Sequence, residues 1–257
     1  MSESFKAKVI FNNCGAKMAT LVLQSPKPIS SPSPAQFYLL KAGEFFDPFL
    51  RRPLSVSQFE EPNLLTFRFG IKGKGTSWLA QRKKGEEIEL LGPLGTGFNL
   101  KREGHPLLVG GGLGIAPLVY LAQYLLEKEE KVPKVVLGAG TQKDLRGLKV
   151  FRRLGLPPQV VTEDGSYGKK GMISDILPAI LDRDDEILAC GPRPMLYYLS
   201  QIAAKNNLKC QVALEEVMAC GVGACLGCVT PVKNGEELAY ARVCKEGPVF
   251  EASEVVW

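Results

Sequence analysis

The chain has 257 residues, 45% of them hydrophobic and 23% charged, with 32 basic against 27 acidic side chains. That balance excludes disorder, collagen and coiled coil, and leaves room for about two domains. No apolar run approaches the roughly 18 residues of a membrane span, and the opening MSESFKAKVIF lacks a signal peptide's apolar core, so a soluble, cytoplasmic protein is expected. The positive excess lies in residues 1–104, with 15 basic and 9 acidic groups, whereas residues 209–257 carry 4 and 7. No Lys/Arg-rich stripe interleaved with aromatics accompanies it. A local anion site on a solvated basic surface is therefore a better reading than nucleic-acid binding.

Residues 5 to about 100 read as short strands separated by Gly and Pro. Leu65, Phe67, Phe69 and Ile71 alternate with Thr66, Arg68 and Gly70, and Ile88-Glu89-Leu90 leads into an expected turn at Gly92-Pro93. This pattern predicts an antiparallel β-barrel, with the Pro-rich stretch Ser25 to Pro34 as a surface loop inside it rather than a linker. From Pro106 the rhythm becomes strand, glycine turn, helix. Leu107 to Val109 is followed by Gly110 to Gly114, then by apolar residues at helical spacing from Ile115 to Leu126. The unit recurs at Lys134 to Gly138, Gln159 to Thr162 (with a helix over Ile173 to Leu181), Glu186 to Ala189 (with a helix from Pro194) and Gln211 to Leu214. Five such strands predict a doubly wound parallel α/β sheet. The expected divisions are 1–104, 105–208 and 209–257, the last being a final strand and a Gly/Cys-rich segment too small for a core of its own.

Four of the seven cysteines, Cys220, Cys225, Cys228 and Cys244, lie in the last 38 residues with C-x4-C-x2-C-x15-C spacing. This is the plant-type ferredoxin order for a 2Fe-2S cluster. Gly221, Gly223 and Gly227 suit a loop that brings N–H groups to the sulfurs. Structural zinc and unliganded thiols are the alternatives, although zinc more often uses two separated C-x2-C knuckles. The run Gly110-Gly111-Gly112-Leu113-Gly114-Ile115-Ala116-Pro117 sits between a strand and its helix, where a pyrophosphate can approach the backbone; a merely tight turn is the other reading. Cys190-Gly191-Pro192 ends the fourth strand, at the carboxyl edge where ligands lie in such sheets, and a buried small hydrophobe is the plain reading of Cys190. In the basic half, Arg52-Pro53-Leu54-Ser55 and Gly73-Lys74-Gly75-Thr76-Ser77 are candidate anion contacts. His105, the single histidine, points to no triad or multi-histidine metal site.

Taken in order, RPLS, GKGTS, GGGLGIAP, CGP and CGVGACLGC with Cys244 span residues 52 to 244. The set resembles the electron-transfer subunits of type B dihydroorotate dehydrogenases, within the ferredoxin reductase-like flavoproteins. The resemblance implies an FAD-binding barrel, an NAD-binding α/β domain and a 2Fe-2S segment. It assigns Arg52, Pro53, Leu54 and Ser55 to FAD, Gly75 and Thr76 to its pyrophosphate, and Phe69, Gly70 and Ile71 to the lining. Gly111, Gly112 and Gly114 would face the nicotinamide dinucleotide, with Cys190, Gly191 and Pro192 near the nicotinamide and Cys220, Cys225, Cys228 and Cys244 as cluster ligands. Glu163-Asp164 after the third strand places negative charge near the nucleotide edge, so NAD is expected rather than NADP.

The implied function is passage of electrons from the FMN of a dihydroorotate dehydrogenase catalytic subunit through 2Fe-2S and FAD to NAD+, in pyrimidine biosynthesis. A heterotetramer of two copies of each subunit is implied as well. No acid-base dyad is expected, because such an oxidoreductase supplies alignment and tuning rather than proton transfer. Two rival readings remain at this stage. One is an FAD/iron-sulfur reductase subunit of a ferredoxin, sulfur or hydrogenase complex; the other is a nonenzymatic zinc-binding scaffold.

Overall fold

A computed structural model describes residues 3–44, 46–101, 103–145, 147–235 and 237–257. The first six strands are β1 (Glu3–Cys14), β2 (Met18–Gln24), β3 (Phe37–Leu40), β4 (Arg52–Glu60), β5 (Leu64–Gly70) and β6 (Glu87–Leu94). They close into an antiparallel barrel in the order β1-β2-β5-β4-β3-β6. Leu65, Phe67 and Phe69 of β5 are buried in its core with Leu21, Leu23 and Leu90, as their alternation predicts. Residues 25–34 join β2 to β3 as a surface loop tied down by the Tyr120 hydroxyl, which donates to Pro32 O (2.6 Å). Helix α1 (Lys74–Ala80) follows β5, and the Asn12 amide donates to three carbonyls at its end, those of Leu79, Ala80 and Arg82.

One expected turn is a strand instead. β6 runs through Gly92-Pro93, with Gly92 paired to Glu3. A Cβ on Gly92 would lie 2.4 Å from the Tyr38 ring, so glycine is there to admit that ring. Pro93, which has no N–H, is tolerated where the β3–β6 register shifts.

The second half holds β7 (His105–Gly111), α2 (Ile115–Lys128), β8 (Lys134–Ala139), α3 (Leu148–Arg153), β9 (Gln159–Thr162), β10 (Lys169–Lys170), β11 (Asp185–Cys190), α4 (Arg193–Asn206) and β12 (Lys209–Ala213). The five expected parallel strands are present. They belong to a seven-stranded sheet, β10-β9-β8-β7-β11-β12-β15, in which β15 (Val249–Glu251) runs antiparallel to β12. Strand residues alternate between two cores: Leu108, Leu188 and Cys190 face α2 and α3, whereas Leu107, Val109, Ile187 and Ala189 face α4.

The expected helix over 173–181 is two short 3-10 turns, Ile173–Asp175 and Leu177–Ala179. Pro178 has no N–H to give Ser174 O, so a continuous helix cannot form; that carbonyl accepts from the Tyr198 hydroxyl (3.4 Å) instead.

The C-terminal segment returns to the rest of the molecule. Its hairpin, β13 (Val229–Asn234) with β14 (Glu237–Arg242), stands beside the sheet, while Met218, Cys228, Val243 and Cys244 share one buried cluster with Phe37 and Leu39 of the barrel and Val212 of β12. Among the described residues no helix is long and apolar enough to cross a membrane.

Candidate functional site

The strand order reverses between β7 and β11, which are parallel neighbours. In open α/β sheets such a switch point opens a crevice beyond the strands' carboxyl ends. Here the crevice is bounded by Gly111-Gly112 after β7 and Gly191-Pro192 after β11. Close packing of the two turns explains most of the glycines. A Cβ on Gly114 would lie 2.3 Å from Cys190 O, one on Gly111 2.7 Å from Met195 Sδ, and one on Gly191 2.6 Å from Met195 Cε. Gly112 differs: its φ of +54° favours glycine, and a Cβ there would meet nothing within 4 Å. Its open side faces the crevice.

Three cavities join along this edge. The first, about 220 Å³, lies between barrel and sheet and is lined by Leu54, Ser55, Arg68, Phe69, Gly70 and Thr76 from one side and Leu113, Pro117, Glu215 and Met218 from the other. The second, about 380 Å³, shares Lys72, Leu113, Leu214, Glu215 and Glu216 with it and adds Gly111, Gly114, Gly191 and Pro192. The third, about 440 Å³, continues past Gly112 and Gly140 to Glu163, Met195 and Tyr198. The result is a trough that starts on the barrel, crosses the switch point and ends on the outer strands. Its first part has apolar walls suited to a flat ring, and its last part exposes glycine backbone suited to phosphate and ribose.

The two barrel motifs meet. The Arg52 guanidinium lies over Gly75, where a Cβ would be 2.4 Å from Arg52 Nε, and it donates to Leu50 O. Thr76 Oγ1 folds back to accept from the Lys72 N–H (2.9 Å) and the Gly73 N–H (3.2 Å), shaping the turn before α1. Pro53, Leu54, Ser55, Phe69 and Gly70 line the first cavity. Ile71 packs against the barrel core, and Cys190 buries its thiol under α2, where burial pushes its pKa up. Neither side chain lines the trough.

The four C-terminal thiols meet as two pairs. The Cys225 N–H donates to Cys220 Sγ (3.4 Å) and the Gly227 N–H to Cys225 Sγ (3.5 Å), while the Cys244 N–H donates to Cys228 Sγ (3.4 Å). Backbone N–H groups of Cys225 and Val222 draw the Cys220 thiol down to about 6, towards thiolate. Burial, together with the neighbouring Cys228, pushes Cys244 up to about 12. Among the described residues no three His, Cys, Asp or Glu side chains converge as a single-ion site. Two thiol pairs suit a two-iron cluster, which takes two cysteines on each iron, better than one tetrahedral ion. The loop is braced by Arg242, which donates to Gly223 O (2.9 Å) and pairs with Glu246. A Cβ on Gly221 (φ +68°) would sit 2.4 Å from Leu39, so the loop lies directly on the barrel wall.

Residues the motifs did not point to complete the trough: Arg68, Lys72, Met195, Tyr198 and the run Leu214-Glu215-Glu216. Only the last carried a usable signal, since it ends a parallel strand at the ligand-binding edge.

An antiparallel barrel beside a switch-point sheet defines the ferredoxin reductase-like class, and solved structures agree. A NADH-dependent reduced ferredoxin-NADP oxidoreductase, studied for flavin-based electron bifurcation, superimposes with a TM-score of 0.84 at 28% identity, over 98% of this chain and 90% of that one. The ferredoxin reductase of carbazole 1,9a-dioxygenase shares the fold (TM-score 0.68, 22% identity, 80% and 66% of the two chains). Residues 215–256 match the family model for the iron-sulfur cluster binding domain of dihydroorotate dehydrogenase B. Two curated relatives carry the name dihydroorotate dehydrogenase B (NAD(+)), electron transfer subunit. That of Caldanaerobacter subterraneus subsp. tengcongensis is 41% identical over 227 residues, 88% of each chain, and that of Clostridium acetobutylicum is 36% identical over 257 residues, 100% of this chain and 99% of its own. The chain belongs to the family of dihydroorotate dehydrogenase B electron transfer subunits.

Proposed function

We propose that this chain is an electron-transfer oxidoreductase component that passes electrons from the FMN of a dihydroorotate dehydrogenase catalytic subunit through a 2Fe-2S cluster and FAD to NAD+, in pyrimidine biosynthesis. In this reading residues 1–104 hold FAD, 105–208 hold NAD, and 209–257 carry the cluster. The protein works in the cytoplasm as a heterotetramer of two copies of each subunit. The observation that carries it is the position of Met218: two residues before Cys220, it lines the same cavity as Leu54, Ser55 and Phe69. The thiol loop thus begins at the wall of the flavin slot.

When bound, the flavin exchanges a hydride with nicotinamide and single electrons with the cluster. The chain's own residues bind and align. Arg52 and the Gly75-Thr76 turn hold the pyrophosphate end of FAD; Leu54, Phe69 and Gly70 bound its ring slot. Gly111, Gly112 and Gly114 admit the dinucleotide, and Gly191 and Pro192 stop the nicotinamide above the switch point. Leu113 spans both cavities and keeps water from the space between the rings. Cys220, Cys225, Cys228 and Cys244 hold the cluster, and the loop's N–H groups stabilise its sulfurs.

The visible spectrum of anaerobically purified protein before and after NADH, with iron, acid-labile sulfide and flavin assayed together, tests the cofactors. Flavin with about two irons and two sulfides per chain, bleached by NADH, supports the reading, whereas a colourless zinc protein overturns it. The likeness to a NADH-dependent ferredoxin-NADP oxidoreductase favours a second reading, with a ferredoxin-type partner. Activity with dihydroorotate on mixing with an FMN catalytic subunit separates the two.

Glu163 lines the far cavity, where an adenosine ribose would end. Its carboxylate repels an added 2′-phosphate, so NADH is the expected co-substrate. Glu163→Gln is expected to raise kcat/KM for NADPH about tenfold and to leave that for NADH nearly unchanged. An unaltered NADPH/NADH ratio would remove Glu163 from the specificity determinant.

A further inference from the structure

We propose that Arg68 is the cation that holds the negative charge of the reduced flavin and thereby sets its reduction potential. This rests on the FAD reading above. Arg68 lies on β5 between Phe67 and Phe69, which point into the barrel core, so it shares the outer face with Gly70. That face meets the sheet domain: a Cβ on Gly70 would be 3.0 Å from Leu113 Cδ1. Arg68, Gly70 and Leu113 all line the first cavity.

The half-buried guanidinium has an unusual set of partners. Nη1 donates to Ser57 Oγ (2.5 Å) and Nη2 to Gln58 Oε1 (2.6 Å), both neutral. Ser57 is fully buried, so the head group is fixed in place. Among the described residues no carboxylate acts on it, and burial alone lowers its pKa. A partly desolvated cation tied only by neutral groups keeps its charge available for an anion entering the cavity. Across the slot stand Glu215 and Glu216, of which Glu216 is paired with Arg193 (3.6 Å). The barrel side of the slot is therefore positive and the sheet side negative.

A reduced flavin held in this slot would give NAD+ two electrons and one proton together as hydride, losing the negative charge of its N1–C2=O edge while the nicotinamide ring loses its positive charge. A fixed cation on the barrel side stabilises the flavin before transfer and not after, so it raises the potential. The pyrophosphate end is served by Arg52 over Gly75, whereas Arg68 opens onto walls formed by Gly70, Leu113 and Pro117, where a ring fits.

The test compares the FAD-loaded full chain with its Arg68→Gln and Arg68→Lys variants by anaerobic dye-equilibrated redox titration at several pH values, and measures FAD affinity by flavin fluorescence. Arg68→Gln is expected to make two-electron reduction about tenfold less favourable, a fall of ~30 mV. Its pH slope near neutrality should steepen from one proton per two electrons towards two, because the N1 edge then protonates. Arg68→Lys should recover most of the potential, and Gln58→Leu, which unties Nη2, should lower it by less. A parental potential and pH slope in Arg68→Gln overturn the proposal. So does weakened FAD binding at unchanged potential, which would make Arg68 a phosphate contact. A wild-type chain that takes up no flavin instead fails the underlying reading, and does so before any variant is made.

Discussion

Replacing Cys225 by serine is expected to stop electron passage to the partner subunit while sparing NADH oxidation by artificial acceptors. The Cys225 N–H donates to Cys220 Sγ, and its own sulfur accepts from the Gly227 N–H, so it belongs to the more exposed of the two thiol pairs. Serine keeps the loop's shape but offers a poor ligand for iron. Changes to mere supporting groups around metal ligands cost about 10–100-fold, so losing a ligand should cost about 100-fold or more in cluster-dependent transfer. The trough from Leu54 to Glu163 does not include Cys225, and hydride exchange there should persist. Parallel assays with the FMN subunit and with a dye acceptor check this, alongside the cluster's absorption. Equal loss of both activities would contradict the division of labour.

The second large effect separates two glycines two positions apart, Gly112 and Gly114. Gly114→Val must push a side chain into Cys190 O and Gly191 N, at 2.3 and 2.5 Å, where β7 and β11 meet. The obstacle is backbone in the middle of a sheet, so relaxation means separating strands. Overpacking of this kind costs about 3 kcal/mol or more, and thermal denaturation followed by circular dichroism should show a fall in Tm of roughly 6–12 °C. Gly112→Ala meets nothing, and its positive φ costs about 1 kcal/mol. Its methyl group enters the trough, so the expected loss is a higher KM for NADH in a protein that still folds. A Gly112 variant with unchanged KM would place the dinucleotide elsewhere.

These two glycines also show how far the sequence could be read. The run Gly110 to Gly114 is recognisable because strand and helix flank it, and the structure puts it at the switch point. Which glycine is required by protein and which opens to a ligand depends on Cys190, Gly191 and Met195, some eighty residues away. The thiol loop is legible for a related reason: four ligands must recur at fixed spacing whatever surrounds them. Arg68 and Lys72 left no such trace, since each is one residue on a wall assembled from three parts of the chain. Ile173, Ile176, Leu177 and Ile180 have helical spacing and are indeed turned inward, but Pro178 divides them into two turns. Gly92-Pro93 reads as a turn by composition, yet in the strand the glycine admits the Tyr38 ring and the proline falls where the register shifts.

The antiparallel strand β15 has a consequence for solubility. Without Val249–Glu251, the backbone N–H and C=O groups of Gln211, Val212 and Ala213 would face solvent along one border of the sheet. These residues are buried in the intact chain, so the uncovered border would be both apolar and ready to accept a strand from another molecule. A chain ending at Gly247 should consequently self-associate, visible as a rise in static light scattering with concentration, while the 257-residue chain does not. The last residues thus act as a selvedge that keeps the nucleotide sheet from being extended by its neighbours.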